Sequence, residues 1–187
     1  MMLFFYLFFS FVVAQRLIEL VIARRNEAQM KAKGAFEAGQ NHYKWIVLMH
    51  TAFLISLFGE GGLLGNGPVQ WWYIPFALFI VTQCLRIWSL VSLGQFWNTK
   101  IIILPGAKVV ARGPYRFMRH PNYVIVATEI IVIPLIFQAY ITAIVFTILN
   151  AIVLSFRIRV EEQALQQATN YYETFSKRPR FFPKETK

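Results

Sequence analysis

Residues 123–156 read YVIVATEIIVIPLIFQAYITAIVFTILNAIVLSF and form a long, almost unbroken apolar stretch. One crossing of a bilayer takes about 20 helical residues, so this stretch is too long for a single span. Pro134 disfavours a continuous helix, and Gln138-Ala139 interrupts the run of large apolar residues shortly after it. We therefore expect two membrane helices, Tyr123–Phe137 and Tyr140–Phe156, joined as a tight helical hairpin. A single long helix kinked at Pro134 is the alternative.

Three further apolar runs precede the hairpin, at Met2–Ile22, Tyr43–Phe58 and Trp71–Leu93. The 187 residues are 57% hydrophobic, with a mean hydropathy of +0.47, whereas soluble domains contain about 45–50% apolar residues. The first run resembles the apolar region of a signal peptide, but it lacks a basic start and a small-residue cleavage site, so we interpret it as a span. The sequence thus predicts an all-α integral membrane protein with about five transmembrane helices. We expect one domain over 1–187, with the first three transmembrane helices in 1–93 and the candidate site in 94–187.

Lysine and arginine alternate between successive connectors. They occur in the first connector (24–44), in the third connector (94–122) and in the C-terminal segment, whereas the connector 59–70 and the hairpin turn contain none. By the positive-inside rule, this pattern predicts the N-terminus outside and the C-terminus in the cytoplasm. The net charge of +10 does not indicate a nucleic-acid partner, because a basic nucleic-acid-binding domain is not built mainly from apolar runs. The single cysteine, Cys84, excludes an intrachain disulfide and a cysteine metal cluster.

Several charged residues lie within or beside the predicted spans. An unpaired ion there costs several kcal/mol, about 2.5–3.5 on insertion scales. Arg16 and Glu19 are one helical turn apart, so we expect them to pair with each other. Arg86 lies deeper in its span, and we expect it to face a polar cavity.

The connectors carry weaker patterns. Residues 24–44 are expected to extend the first helix as a solvated segment that breaks at Gly34 and Gly39. In the third connector, the apolar runs 101–104 and 108–111 flank Pro105-Gly106, which predicts a small β-hairpin that presents Lys100 and Lys108 to the cytoplasm.

Two polar stretches on the predicted cytoplasmic side are candidates for a site. The first is Gly113–Tyr123, which gathers prolines, arginines, His120 and tyrosines before the fourth span. The second follows the fifth span, where Arg157 and Glu161 lie at positions i and i+4 on one helical face. Because the hairpin brings both stretches to one membrane face, they can form one pocket. The simpler interpretation is that the arginines fix topology, that His120 caps a helix and that Arg157 and Glu161 form a surface pair.

The remaining patterns limit the chemistry. The histidines at 42, 50 and 120 lack the spacing of metal ligands, so no metal site is expected. The sequence contains no dinucleotide-binding glycine motif, P-loop or serine elbow. Tyr171, Tyr172 and Phe175 are expected to pack a C-terminal helix onto the membrane interface.

The polar motifs of the second half resemble the isoprenylcysteine carboxyl methyltransferases and their phospholipid-methyltransferase relatives. The resemblance covers 94–183. It rests on Gly113-x-Tyr115, Arg119-His120-Pro121-x-Tyr123, Arg157-x-x-x-Glu161-Glu162-x-x-Leu165, Tyr171-Tyr172 and Arg178-Pro179-Arg180-Phe181-Phe182-Pro183. The first half resembles a bacterial branch of the family, some members of which methylate alkylpyrones, through Arg25-Asn-Glu, Lys33-Gly-Ala and His42-Tyr43.

This resemblance implies that S-adenosylmethionine is bound without a Rossmann fold, in a cytoplasmic pocket formed by the third connector and the tail. A lipophilic acceptor would enter from the bilayer. Arg157 corresponds to the residue that orients the acceptor, and Arg157 and Glu161 are the candidate catalytic residues. The implied cofactor contacts are Lys108, Val109, Val110, Tyr115, His120, Pro121, Asn122, Tyr123 and Glu161.

The chemistry of methyl transfer agrees with these roles. A methyl group moving from a sulfonium to an oxyanion needs alignment and exclusion of water more than a general base. Arg157 is suited to bind a carboxylate or an acidic enol through its fork of donors. Two alternatives remain at this stage: a phosphatidylethanolamine-type N-methyltransferase, and a non-catalytic scaffold whose cationic connectors bind membrane lipids.

Overall fold

The computed structural model describes residues 2–65 and 67–181, without the side chains of residues 41 and 42. Phe182 and Pro183 of the C-terminal motif and the His42 side chain lie outside the described residues. The long helices are α1 (Met2–Lys31), α2 (Gln40–Leu57), α3 (Tyr73–Leu93), α4 (Pro121–Ile136) and α5 (Tyr140–Ala168). The short elements are strands β1 (Phe36–Ala38) and β2 (Ile101–Ile103), helix α6 (Tyr171–Phe175), a π-helical turn (Phe58–Leu63) and two 3₁₀ turns (Gly94–Phe96 and Gly113–Arg116).

The protein is an all-α integral membrane protein. Within residues 2–65 and 67–181, four helices are long and apolar enough to cross a membrane, and α4 is a shorter apolar helix. The predicted hairpin is confirmed, because α4 and α5 are separate helices that pack side by side. Gln138 in the turn adopts a positive φ of 59°, and its side-chain amide donates to the carbonyl of Gly67 at 3.2 Å. The alternative of one kinked helix is therefore wrong.

Aromatic side chains hold the ends of α1, α3 and α4 together. Phe5 contacts Phe137 edge-on, with ring centroids 4.9 Å apart, and Phe8 lies 4.8 Å from Phe79. Phe5 and Phe137 are fully buried. Such aromatic pairs add about 0.5–1.5 kcal/mol each beyond the apolar area that they bury. This cluster closes the bundle at the end remote from the two connectors that carry the strands.

The third connector folds differently from the predicted β-hairpin. Residues 101–103 do form a strand, but β2 pairs antiparallel with β1, with Ile102 opposite Glu37. In the described part of the chain, residues 108–111 form no strand. The end of α5 and the residues after it hold this segment instead. The Gly106 amide donates to the Ala168 carbonyl at 2.8 Å, and the Val109 amide donates to Asn170 Oδ1 at 3.0 Å.

The first connector is also more structured than expected. Helix α1 does extend beyond the predicted span to Lys31, and Gly34 and Gly39 have the positive φ of helix breaks. Between these glycines, however, Glu37 of β1 pairs with Lys100 at 3.3 Å, and Lys100 also reaches Glu27 at 3.0 Å. These hydrogen bonds to Glu27 and Glu37 raise the pKa of Lys100. The two connectors thus form one unit that covers the end of the bundle.

The C-terminal segment, residues 169–181, is here called the tail. The predicted fifth span ends at Phe156, but α5 continues to Ala168, where the tail begins. Tyr171 and Phe175 do not lie on the membrane interface as expected, because both are buried against Tyr115 and Leu165. Tyr172 points outward and is 69% exposed.

Candidate active site

A cavity of about 510 Å³ lies between the helices and extends under the connectors and the tail. Apolar side chains such as Val13, Val47 and Leu154 line its membrane end. Polar residues of the third connector and of α4 and α5 line the other end. A cavity of this size is typical of small-molecule sites, which bind ligands through apolar walls and a few placed polar groups.

A tight turn places Tyr115 in the wall of this cavity. Residues Gly113–Arg116 form a 3₁₀ turn that packs against α3. Gly113 has a φ of 58°, and a Cβ atom there would lie 2.0 Å from Ser92 Oγ, so no larger residue fits. Burial raises the pKa of Tyr115, so its hydroxyl stays protonated. Ser89 and Asn122 lie near this hydroxyl, but within the described residues no group meets the geometry of a hydrogen bond to it, so a ligand can bind it.

Glu162 fastens the tail over the start of α4. Its carboxylate, only 4% exposed, accepts hydrogen bonds from His120 Nε2 at 3.0 Å and Arg180 Nη2 at 2.6 Å. Tyr171 donates to the same carboxylate at 3.3 Å, and burial raises the pKa of Tyr171 so that its hydroxyl keeps its proton. The amide of His120 donates to the Arg180 carbonyl at 3.1 Å. The tail therefore forms a lid held by main-chain and charged hydrogen bonds.

Arg157, Tyr123 and Glu161 form a chain of hydrogen bonds along the cavity wall. Arg157 Nε donates to the Tyr123 hydroxyl at 2.8 Å, and that hydroxyl donates to Glu161 in a short contact. Arg157 Nη2 also donates to the Thr99 carbonyl at 2.6 Å. The ring of Tyr123 stacks on His120, with centroids 5.2 Å apart. The predicted shared face of Arg157 and Glu161 is confirmed, but Tyr123 stands between the two charges.

A second polar cluster lies deeper, between α1, α3 and α4. The predicted pair of Arg16 and Glu19 is confirmed at 2.9 Å. Arg86 pairs with Glu19 at 3.0 Å and with Glu129 in a short contact, and Glu129 also binds Arg16. These four residues line the cavity, as expected for Arg86. Two arginines and two glutamates balance in charge, which lowers the cost of burying them in the membrane.

Comparison with known proteins identifies the family of this chain. The sequence profile of the isoprenylcysteine carboxyl methyltransferase family matches residues 74–167. The chain belongs to this family. It is also 45% identical over 163 residues to YpbQ, an uncharacterized protein of Bacillus subtilis, with 87% of this chain and 97% of the relative covered. An uncharacterized protein of Haemophilus influenzae is 30% identical over 168 residues, with 88% of this chain and 96% of the relative covered.

Membership of the isoprenylcysteine carboxyl methyltransferase family makes the protein a membrane methyltransferase. Of the residues that the resemblance implies, Pro121 begins α4 and does not line the cavity. In residues 2–65 and 67–181, no group of three or more His, Cys, Asp or Glu side chains is arranged to hold a metal ion. The other implied residues all line the same cavity, namely Lys108, Val109, Val110, Tyr115, His120, Asn122, Tyr123, Arg157 and Glu161.

Sequence reasoning missed three features of this family member. Glu129 is an acid inside a predicted span, which is by itself an indication of a functional or paired residue. Glu162 was part of the quoted motif but received no role, because helix periodicity alone does not show that it faces the tail. Asn98 lines the cavity, and in the described chain neither polar atom of its side chain has a partner.

Proposed function

We propose that the protein is an S-adenosylmethionine-dependent O-methyltransferase whose acceptor is a lipophilic carboxylate, as in an isoprenylcysteine, or a lipophilic acidic enol, as in an alkylpyrone. The observation that carries the proposal is the position of Arg157. Its guanidinium lines the cavity where the apolar membrane end meets the polar end. A planar fork of donors at this junction suits an oxyanion whose hydrocarbon chain extends into the membrane.

The polar end of the cavity fits the cofactor. The Tyr115 hydroxyl and both polar atoms of Asn98 are buried there without partners among the described residues. Buried polar groups are normally hydrogen-bonded, so these atoms suit a polar ligand. Glu161 adds a carboxylate that can accept from ammonium or hydroxyl groups. Together with His120, Asn122 and the 108–110 segment, these residues would hold S-adenosylmethionine, which supplies an electrophilic methyl group on a sulfonium.

The residues of this chain orient the acceptor and exclude water from the site, and the reaction does not require one of them as a general base. A carboxylate is ionised at neutral pH, and an acidic enol needs little help, so neither requires proton removal by the protein. Arg157 orients the oxyanion, and Tyr123 fixes the guanidinium by accepting from Nε. The tail, fastened by Glu162, excludes water from the polar end, which strengthens these electrostatic interactions. An amine acceptor must instead lose a proton, and an adjacent guanidinium disfavours its approach, so the proposal ranks O-methylation above phospholipid N-methylation.

The proposal includes an orientation in the membrane. The alternation of basic connectors supports an N-terminus outside a bacterial cell membrane and a cytoplasmic C-terminus. Cysteine labelling in intact cells tests this on a Cys84→Ser background. A membrane-impermeant maleimide is expected to label Leu64→Cys and not Lys177→Cys, and the reverse pattern would overturn the orientation.

Calorimetry on detergent-purified protein tests the function itself. Saturable binding of S-adenosylhomocysteine is expected, and it should weaken in both His120→Ala and Glu161→Ala. Tyr172→Phe, at an outward position, is the matched control. A folded wild-type protein that binds no cofactor would favour the scaffold alternative, while label appearing in bulk phospholipids rather than added acids would favour N-methylation.

A further inference from the structure

The membrane end of the cavity contains an unexplained polar side chain. Asn150 of α5 is only 2% exposed, and its Oδ1 atom has no hydrogen-bond partner within residues 2–65 and 67–181. The side chain lines the cavity rather than the lipid-facing surface. A buried amide oxygen without a partner has lost its hydrogen bonds to water without replacing them, which is unfavourable. A ligand group that donates to it would remove this cost.

The packing of α2 against α5 places His50 at the level of Asn150. These helices run antiparallel, with Ser56 bonded to Thr142 at 2.8 Å and the ring of Phe53 5.5 Å from Phe146. One further turn along each helix brings His50 opposite Asn150. Both residues line the same cavity. We name them the deep polar pair.

Both members of the deep polar pair present acceptors. His50 Nδ1 lies 2.9 Å from the carbonyl oxygen of Ile46. A carbonyl oxygen only accepts, so the proton is on Nδ1, and Nε2 of the neutral ring is an acceptor. Asn150 adds the unpartnered Oδ1. A hydroxyl or an amide N–H can donate to one of these acceptors. A ketone only accepts, so it could bind the Asn150 Nδ2 donor but would leave both acceptors without a partner.

The deep polar pair is aligned with Arg157. Asn150 and Arg157 are seven residues apart on α5, and the intervening Val153 and Leu154 line the same cavity. Seven residues correspond to two helical turns, or about 10 Å along the helix axis. One extended ligand can therefore reach both positions across an apolar stretch.

We propose that the deep polar pair recognises a hydroxyl or amide N–H on the lipid chain of the acceptor, roughly 10 Å from the oxygen bound by Arg157. The proposal rests on the proposed function for the role of Arg157. It assigns the acceptor to a class, namely lipid acids or enols with a mid-chain hydrogen-bond donor. His50 and Asn150 are then specificity-determining residues.

Three probes of equal chain length test this assignment: stearic acid, stearic acid with a hydroxyl at carbon ten, and stearic acid with a ketone at the same carbon. Calorimetry measures the affinity of each for purified protein saturated with S-adenosylhomocysteine. The hydroxy acid should bind about tenfold more tightly than the other two, as one net buried hydrogen bond predicts.

The variants are Asn150→Leu and His50→Phe. Thr147→Val, on the same helix but outside the cavity lining, is the control.

The preference for the hydroxy acid should disappear in both variants and persist in Thr147→Val. Equal affinities for the three acids in the wild type, binding of none of them, or a preference that survives in both variants would overturn the assignment. Melting temperatures identify a variant that fails to fold, and the two variants lie on different helices. If the wild type binds no S-adenosylhomocysteine, the proposed function fails, but the same acid affinities measured without it still decide the role of the deep polar pair.

Discussion

The Tyr123 hydroxyl accepts a hydrogen bond from Arg157 Nε at 2.8 Å. A phenol has one proton to donate, and that proton is directed to Glu161. The phenol therefore separates a cation and an anion that lie one helical turn apart on α5. This arrangement holds Arg157 in place without neutralising it through a direct ion pair, which leaves its charge free for an oxyanion.

Tyr123→Phe should impair methyl transfer while preserving the fold. The substitution removes hydrogen bonds to two charged groups, each worth about 1.5–3 kcal/mol, but it keeps the ring that stacks on His120. We expect kcat/KM to fall about 10- to 100-fold, measured with labelled cofactor. Tyr172→Phe should match the wild type. An unchanged kcat/KM for Tyr123→Phe would show that Arg157 needs no such support.

Arg157→Ala should separate turnover from cofactor binding. The guanidinium is assigned to the acceptor, so turnover should fall by at least about 100-fold, while calorimetry should find the affinity for S-adenosylhomocysteine unchanged. Arg157→Lys keeps the charge but loses the fork of donors, so an intermediate rate is expected. Arg159→Ala is the control, since Arg159 is exposed and its guanidinium donates to the Ser155 carbonyl of its own helix. Equal loss of turnover and cofactor affinity in Arg157→Ala would contradict the assignment.

Glu162→Gln should release the tail. A neutral amide cannot replace the carboxylate that accepts from His120 and Arg180. Since Arg180 is partly solvated, we expect a local loss of about 1–3 kcal/mol. Trypsin should then cut after Arg180 about tenfold faster or more, as followed by mass spectrometry. The exposed Glu173→Gln serves as the matched control. Identical cleavage rates in both variants would mean that the tail is held elsewhere.

Glu129→Gln should destabilise the membrane bundle. The change leaves Arg16 and Arg86 facing only Glu19, and breaking a buried pair costs about 3–5 kcal/mol. Thermal unfolding in detergent should show a lower melting temperature. Arg16→Gln in the same chain restores the balance of charge, so the double variant should lose less than the sum of the two single losses. Additive losses would indicate that these charges are independently solvated in the cavity.

The hairpin could be predicted because its signal is local, whereas the roles of the candidate site residues came from the family resemblance of their motifs. A two-residue interruption after Pro134 suffices to separate α4 from α5, and helical spacing places Arg157 and Glu161 on one face. The motif Arg119-His120-Pro121-x-Tyr123 predicted the part of the cavity wall that lies opposite α5. These features depend on residues near one another in the sequence.

The features that were missed depend on distant partners. Strand β2 pairs with β1, more than 60 residues earlier in the chain. The local Pro105-Gly106 turn therefore predicted a hairpin between residues 101–104 and 108–111 that does not form. Glu129 is hidden in an apolar run, and its partners come from two other helices. Glu161 and Glu162 are adjacent, yet about 100° of helical rotation directs one to Tyr123 and the other to the tail.

Helix α5 is continuous from Tyr140 to Ala168, and this continuity restricts how the protein can vary. Inserting or deleting one residue between Asn150 and Glu162 would rotate everything beyond it by about 100°. Arg157 would then point away from the cavity, or Glu162 would lose the tail. Changes of length should therefore be confined to the connectors. Within α5, the protein can evolve by replacing side chains but not by shifting its register.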